Sequence, residues 1–246
     1  HTHLILAGMF KTYVNLGAAR SEEEAAKVHE AVNNTKAMQE KYKKYKEMGL
    51  ENSEIIEKFK SFKFGMFIHW GLYSLIGNTE WGVMFDDDSM EEYQAKTLPY
   101  FTAEGCNTDE WAAIAKRAGC RYMVFTTRHH DGFSLFDSKH SFENHTSMNS
   151  PAKRDFTREF VDSCRKFGLG VGLYYSPIDW RFPGFYNPKM FKDSAKEMVK
   201  QCHKQVEELT TNYGDIDILW YDGGEDYVVA FSIDFGKRCV PEGHKQ

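Results

Sequence analysis

The 246 residues carry 31 Lys and Arg against 36 Asp and Glu, and the resulting net charge of -5 provides neither a basic surface for nucleic acid nor a polybasic membrane anchor. The hydrophobic content of 41% is enough for a globular core, and no run approaches the roughly 20 apolar residues that span a membrane. The five cysteines form no CxxC pair and no disulfide-framework spacing, which argues against structural zinc and against a disulfide scaffold.

The N-terminal part of the chain is predicted to be helical and highly charged. A helix with a capping-box pattern at Ser21 runs to Met48, and a second, short helix follows up to Lys60. We therefore predict a helical extension over residues 1–60 and a catalytic domain over residues 61–246. The first residue is His rather than Met, which is compatible with a removed signal peptide and with a fragment.

Short apolar segments and helical segments alternate over the rest of the chain. Strands are predicted at 62–70, 121–127, 170–176 and 216–222, with helices at 108–119, 155–167 and 188–213. This alternation predicts a parallel sheet with right-handed crossovers. No GxGxxG fingerprint follows the first strand, and the strands end in polar or aromatic groups, which favours a (β/α)8-type, TIM-like barrel over a doubly wound sheet.

A complete barrel of this type takes about 250 residues, yet the fourth predicted strand ends only near residue 222. Residues 227–233 are predicted to form one further strand. We therefore expect only the first half to two-thirds of a barrel in this chain.

Asp222 ends the fourth predicted strand and is followed directly by two glycines. In a βα-repeat protein, the loops at this edge of the sheet bring side chains from several strands together. Asp222 is therefore predicted to be the reacting carboxylate. The alternative is an Asp that caps the next helix. The cluster Asp86–Asp88 lacks the spacing of a calcium loop and is predicted to be a solvated turn.

Other polar and aromatic side chains lie at or just after the predicted strand ends. They are His69, Glu80, Trp81, His129, His130, Tyr175 and Trp220. Such histidines together with an Asp suit a catalytic metal, but the first strand lacks an HxH pair. Adjacent His129 and His130 would also point in different directions on an extended backbone. Glycoside hydrolysis uses a nucleophilic carboxylate, and His, Tyr and Trp suit the hydroxyl groups and apolar face of a sugar. Any one of these histidines taken alone favours a structural role, whereas several at successive strand ends favour a site.

An ordered set of motifs resembles the retaining α-L-fucosidases, glycoside hydrolase family 29. The motifs are KFGMFIHWG (63–71), EW (80–81), RHHDGFSLFDSK (128–139), KRDF (153–156), GLYYS with DW (172–180) and LWYDGG (219–224). The resemblance covers roughly residues 60–227. It implies an exo-acting hydrolase that releases terminal α-linked L-fucose through a covalent fucosyl-enzyme intermediate, with no metal or other cofactor.

The resemblance also implies roles for individual residues. It maps the nucleophile onto Asp222, the fucose hydroxyl contacts onto His69, Glu80, His129, His130 and Tyr175, and the pocket walls onto Trp81 and Trp220. In the family, the acid/base carboxylate comes from a later loop, and no segment after Asp222 matches that loop. Glu225 is a candidate, although three residues from the nucleophile it need not reach the opposite side of the glycosidic bond.

The alternative function is a fucosidase-like protein without turnover, which binds sugar or serves a structural role. A fucosylated glycan as substrate favours a secreted, periplasmic or lysosome-like location. The sequons at Asn33 and Asn144 have meaning only on a eukaryotic secretory route. The sequence leaves open whether the chain acts alone, in a homo-oligomer or in a larger assembly.

Overall fold

The computed structural model describes residues 53–85 and 88–222. Helices and strands alternate in these ranges as α1 (Ser53–Phe62), β1 (Gly65–Ile68), α2 (Gly82–Phe85), α3 (Met90–Thr97), α4 (Thr108–Arg117), β2 (Tyr122–Arg128), α5 (Phe156–Lys166), β3 (Gly170–Tyr175), α6 (Pro183–Tyr186), α7 (Lys192–Asn212) and β4 (Ile218–Tyr221). Short 3₁₀ turns occur at Leu72–Leu75, Leu98–Tyr100, Phe142–Asn144 and Ser147–Asn149. The predicted helix from Ser21, the predicted strand at 227–233 and the candidate acid Glu225 lie outside the described residues.

Up to Ser61, α1 belongs to one compact unit, and the described residues from Phe62 onward belong to a second. The second unit contains the whole sheet. The domain limits predicted from the sequence, 1–60 and 61–246, remain a prediction. None of the described helices is long and apolar enough to cross a membrane.

The four strands form one parallel sheet in the order β1-β2-β3-β4. Each strand therefore pairs with the next one along the chain, and the predicted α/β fold with a parallel sheet is confirmed. Because the strands are parallel and the intervening helices return the chain each time, their carboxyl ends lie along one edge of the sheet. This edge carries the polar motifs.

Two helices are capped at or directly before their predicted first residues, 108 and 155. The Asn107 side chain accepts a hydrogen bond from the Glu110 amide at the start of α4, and Asp155 accepts one from the Arg158 amide at the start of α5. The long helix predicted at 188–213 begins only at Lys192, because residues 188–190 form a turn after the short helix α6. These helices pack on one face of the sheet.

The two faces of the sheet differ in what they contact. On β3, Val171, Leu173 and Tyr175 belong to the hydrophobic core shared with the helices. Tyr174 points the other way, where its ring meets Phe67 from β1 at 5.7 Å between centroids. Side chains alternate between faces along a strand, so Tyr174 and Tyr175 occupy different environments although they are neighbours in sequence.

Candidate functional site

Asp222 lies on the polar edge, directly after β4, the last strand of the described sheet. Its backbone amide donates to the Tyr175 carbonyl at 3.3 Å, which continues the pairing of β4 with β3. Its Oδ2 atom accepts a hydrogen bond from the Tyr174 hydroxyl at 2.8 Å. Burial and the neighbouring Asp222 carboxylate raise the pKa of Tyr174, so this phenol stays protonated and remains a donor. The carboxylate is thus held by a neutral donor and stays partly accessible.

Three imidazoles from two strand ends surround this carboxylate. His129 and His130 follow β2 and are only 3% and 2% exposed, with ring centroids 4.1 Å apart. The ring of His69, which follows β1, lies 4.9 Å from that of His129. His129 also stacks on Tyr174, with the ring planes 5° apart. The ends of all four strands therefore contribute to one site.

The expectation that His129 and His130 point in different directions is wrong. The pairing of β2 with β3 shifts register between Thr126 and Arg128, and the chain then enters a turn at His130. Strict alternation of side chains requires a regular strand, so this irregularity lets both rings face the same side. One nitrogen from each ring and one oxygen of Asp222 lie within 4.8 Å of one another.

The imidazoles stay uncharged at neutral pH. Burial, followed by the nearby His130, lowers the pKa of His129 to about 2. Burial lowers the pKa of His130 to about 4 although Asp222 acts in the opposite direction. Burial also lowers the pKa of His69, the most accessible of the three, against the charges of Glu80 and Asp222. A neutral imidazole offers one donor and one acceptor, which suits hydroxyl groups.

Aromatic rings form the walls of the site. The Trp81 ring lies 5.2 Å from that of His130 and 5.1 Å from that of Trp180, and 39% of Trp81 remains exposed. On the other side, Trp220 makes an edge contact with Phe67 at 5.5 Å. Apolar ring faces beside polar groups match the amphipathic surface of a sugar.

Glu80, immediately before Trp81, is partly buried and accepts a hydrogen bond from the Thr79 hydroxyl at 3.0 Å. Its charge acts on the pKa of both His69 and His130. This first loop therefore brings a carboxylate and an indole to the same site as the strand-end histidines.

The structure brings together the predicted site residues His69, Glu80, Trp81, His129, His130, Trp220 and Asp222, but not Tyr175. Tyr175 is fully buried, and its hydroxyl donates to Gln205 of α7 at 2.9 Å and accepts from Arg128 at 3.2 Å. The expectation that Tyr175 contacts a ligand in this pocket is wrong, because its side chain points to the helix side of the sheet. Tyr174, which donates to Asp222, lies on the pocket side instead.

Sequence reasoning also missed several neighbours of the site. They are Phe67, Tyr73, Tyr174, Ser176 and Trp180. Tyr174 pairs in register with Trp220, so strand alternation counted from Trp220 points to it rather than to Tyr175. Tyr73 belongs to the 3₁₀ turn Leu72–Leu75, and its hydroxyl lies 3.1 Å from His69 Nδ1; no sequence pattern indicates this contact.

A buried ion pair lies behind the site. Arg128 Nη2 lies 2.6 Å from Asp179 Oδ2, with both side chains fully buried, and Asp179 also accepts from Arg181 and Gln201. Although burial opposes it, the charges of Arg181 and Arg128 hold the pKa of Asp179 well below its ordinary value. Removing one partner of such a pair costs about 3–5 kcal/mol, because the other charge is left uncompensated. The pair therefore ties the end of β2 to the loop after β3.

His129, His130 and Asp222 are of the residue types that also ligate metals. Among the described residues, His129 Nδ1 is buried without a hydrogen-bond partner, while His130 Nδ1 is engaged by Ser176 at 2.6 Å. The donor set suits an ion as well as sugar hydroxyls, so residue type alone does not select the ligand.

Comparisons with known proteins identify the family. The α-L-fucosidase family model matches residues 30–238. Human plasma α-L-fucosidase is 31% identical over 182 residues, which cover 67% of this chain and 38% of that protein. The chain spans about two fifths of the length of the curated relatives that it matches.

Solved structures give the same result. α-L-Fucosidase isoenzyme 1 from Paenibacillus thiaminolyticus is 41% identical with a TM-score of 0.61, and the match covers 67% of this chain and 41% of that one. The fucosidase AlfC from Lactobacillus casei, solved with α-L-fucose, is 29% identical with a TM-score of 0.64 over 75% of this chain and 68% of that one. This chain belongs to the α-L-fucosidase family.

Proposed function

We propose that this chain carries the nucleophile side of a retaining exo-α-L-fucosidase, with Asp222 as the nucleophile. The observation that carries the proposal is the position of Asp222: a carboxylate at the end of β4 that accepts a hydrogen bond from Tyr174 beside neutral imidazoles. Membership of the α-L-fucosidase family supports the choice of sugar.

In the proposed reaction, an Asp222 oxygen attacks the anomeric carbon of a terminal α-L-fucosyl group. The glycosidic C–O bond breaks, and the leaving oxygen takes a proton from a general acid. Water then attacks the fucosyl ester, releases fucose with retained configuration and restores the Asp222 carboxylate. A family member from Bacteroides thetaiotaomicron, 28% identical with a TM-score of 0.65, has been solved as a trapped covalent intermediate, which supports this route.

The surrounding side chains receive roles from their positions. We assign His69, Glu80, His129 and His130 to the hydroxyl groups of fucose, and Trp81 and Trp220 to the walls. Tyr174 replaces Tyr175 in this set, because it is the tyrosine that contacts Asp222. We propose no metal at this site, because the retaining reaction proposed here proceeds with carboxylates alone.

The general acid is not among the roles assigned, because the candidate Glu225 lies outside the described residues. We also propose that the parallel sheet is the first half of a (β/α)8-type barrel. The sequential strand order and the site at the carboxyl edge support this, as does the greater length of the relatives. The proposed substrate is a fucosylated glycan, and we retain the proposal of a secreted, periplasmic or lysosome-like location.

The test uses an aryl α-L-fucoside with an activated leaving group, which departs with little help from a general acid. It therefore isolates the step that needs Asp222. The expected result is release of the aryl alcohol together with an increase in intact protein mass of one fucosyl group. Asp222→Ala should abolish both signals, and unchanged release would refute the assignment.

Asp217→Asn is the matched control. Asp217 precedes β4 at the opposite end from Asp222, where its carboxylate accepts from the Val171 amide at 2.8 Å. This variant should retain the reaction. Fucose binding without any cleavage would favour the non-catalytic alternative, and loss of activity with a chelator would favour a metal-dependent hydrolase.

A further inference from the structure

We propose that Ser176 is a positioning residue that holds His130 in the tautomer with its proton on Nδ1. The Nε2 atom then carries a lone pair and accepts a hydrogen bond from a hydroxyl group of the sugar. The identity of the sugar rests on the function proposed above, whereas the tautomer is a property of the free protein.

The contacts of Ser176 define this arrangement. The residue follows β3 directly and is fully buried. Its Oγ atom lies 2.6 Å from His130 Nδ1 and 3.2 Å from the carbonyl oxygen of Ile178. One hydroxyl group thus stands between one ring nitrogen and one carbonyl.

Counting protons sets the direction of both hydrogen bonds. A serine hydroxyl has a single proton, and a carbonyl oxygen only accepts. Both contacts are satisfied together only if the Ser176 hydroxyl donates to Ile178 and accepts from His130 Nδ1–H. In the opposite arrangement, the buried Ile178 carbonyl loses this donor, and an unpaired buried polar group is costly.

Backbone hydrogen bonds hold Ser176 and His130 close to each other. The Ser176 amide donates to the Arg128 carbonyl at 3.1 Å, and Arg128 Nη1 donates to the Ser176 carbonyl at 2.5 Å. The Trp180 amide donates to the His130 carbonyl at 2.9 Å. These bonds keep the backbones of Ser176 and His130 next to each other, so the hydroxyl and the imidazole stay within reach of each other.

The other two histidines lack an equivalent arrangement. His69 Nδ1 lies 3.1 Å from the Tyr73 hydroxyl oxygen, which also lies 3.5 Å from Thr126 Oγ1, so two acceptors compete for the single Tyr73 proton. His129 Nδ1 is buried without a partner among the described residues. Of the three rings, His130 is the one whose tautomer is set by a neighbour with a known direction.

This has a consequence for specificity. Because His130 Nε2 is an acceptor, the sugar must offer a hydroxyl as a donor at that point. Burial keeps His130 neutral at neutral pH, so protonation does not convert Nε2 into a donor. A substituent that only accepts, such as fluorine, cannot replace the hydroxyl.

The first measurement is ¹⁵N NMR of the histidine rings in the free protein. We expect His130 Nδ1 to be protonated and Nε2 to carry the lone pair. Ser176→Ala should yield a mixture of tautomers, while Ser176→Thr keeps the hydroxyl and should restore the single form. A lone pair on Nδ1 in the unmodified protein would overturn the proposal.

The matched control is Ser134→Ala. Ser134 is equally buried, but its Oγ accepts from Gln205 Nε2 at 2.8 Å and has no hydrogen bond to a histidine side chain among the described residues. This variant should leave the His130 tautomer unchanged. A shift of the same size in this control would show that the NMR signal reports general repacking, and the assignment to Ser176 would fail.

The second measurement compares binding of L-fucose with its monodeoxy and monodeoxyfluoro analogues, changed one hydroxyl at a time. At one position, both analogues should bind about tenfold more weakly than fucose, since each leaves a buried acceptor unpaired. In Ser176→Ala, the fluoro analogue should regain affinity, because Nε2–H becomes available as a donor. If fluorine substitutes well for every hydroxyl in the unmodified protein, the proposal is wrong. Absence of fucose binding would count against the proposed function, while the NMR result still decides the tautomer.

Discussion

Tyr174 and Tyr175 form a natural pair for testing how the site is built. The two are adjacent in sequence and identical in side chain, yet one donates to Asp222 at 2.8 Å and the other to Gln205 at 2.9 Å on the helix side. Replacement of each by Phe removes one hydroxyl group and little volume. The two variants should therefore differ in which property they damage.

The expected size of each effect follows from the hydrogen bond that the substitution removes. A hydrogen bond to a charged group contributes about 1.5–3 kcal/mol. If the Tyr174 hydroxyl orients the Asp222 carboxylate for attack, Tyr174→Phe should lower kcat/KM by about 10- to 100-fold, at about 1.4 kcal/mol for each factor of ten. Tyr175→Phe leaves the buried Gln205 oxygen without this donor and should cost about 1–3 kcal/mol of unfolding free energy.

The assay measures the rate of aryl α-L-fucoside cleavage and the urea unfolding of both variants. We expect Tyr174→Phe to lose activity with nearly unchanged stability, and Tyr175→Phe to lose stability with nearly unchanged activity in the folded fraction. The reverse pattern would refute the assignment of Tyr174 to the pocket. Equal loss of activity in both would show that alternation along β3 does not separate the two roles.

Two further predictions concern stability. Gly132 has φ 75°, and an added Cβ would lie 2.5 Å from Arg181 Nε and 2.6 Å from Asp179 Oδ1, whereas Gly77 has φ 70° with no atom within 4 Å. Gly132→Ala should therefore lower Tm clearly more than Gly77→Ala. The Gly77 variant carries only the left-handed backbone cost of about 1–2 kcal/mol. An equal decrease of Tm in both variants would contradict the predicted clash at Gly132. Burial lowers the pKa of His145 to about 3. Between pH 6.5 and 3 the unfolded chain therefore binds a proton that the folded one does not. The free energy of unfolding should decrease as the pH is lowered, by up to about 1.4 kcal/mol per pH unit. Urea titrations from pH 7 to 4 should show this slope flattened in His145→Asn, and parallel slopes would rule out His145 as its source.

Several features of this protein follow from local sequence alone. Continuous apolar runs predicted all four described strands. Burial on both faces explains the runs of β2 and β3, whereas β1 and β4, at the two ends of the described sheet, are only partly buried. Asn107 and Asp155 marked two helix starts, since capping uses a short polar side chain and the adjacent amides. Asp222 could also be placed at a strand end from local sequence, because apolar residues precede it and glycines follow it.

The tertiary structure decided which of these side chains meet. The sequence does not tell which of Tyr174 and Tyr175 faces the pocket. Only the register of β3 with β4 shows which of them shares a face with Trp220. The convergence of His129 and His130 depends on an irregularity at the end of β2 that no residue pattern indicates.

The buried pair of Arg128 and Asp179 likewise joins residues 51 positions apart. Sequence specifies local conformation through propensity and capping, whereas a site is a set of distances between distant segments. Those distances exist only once the strands have paired and the loops have packed.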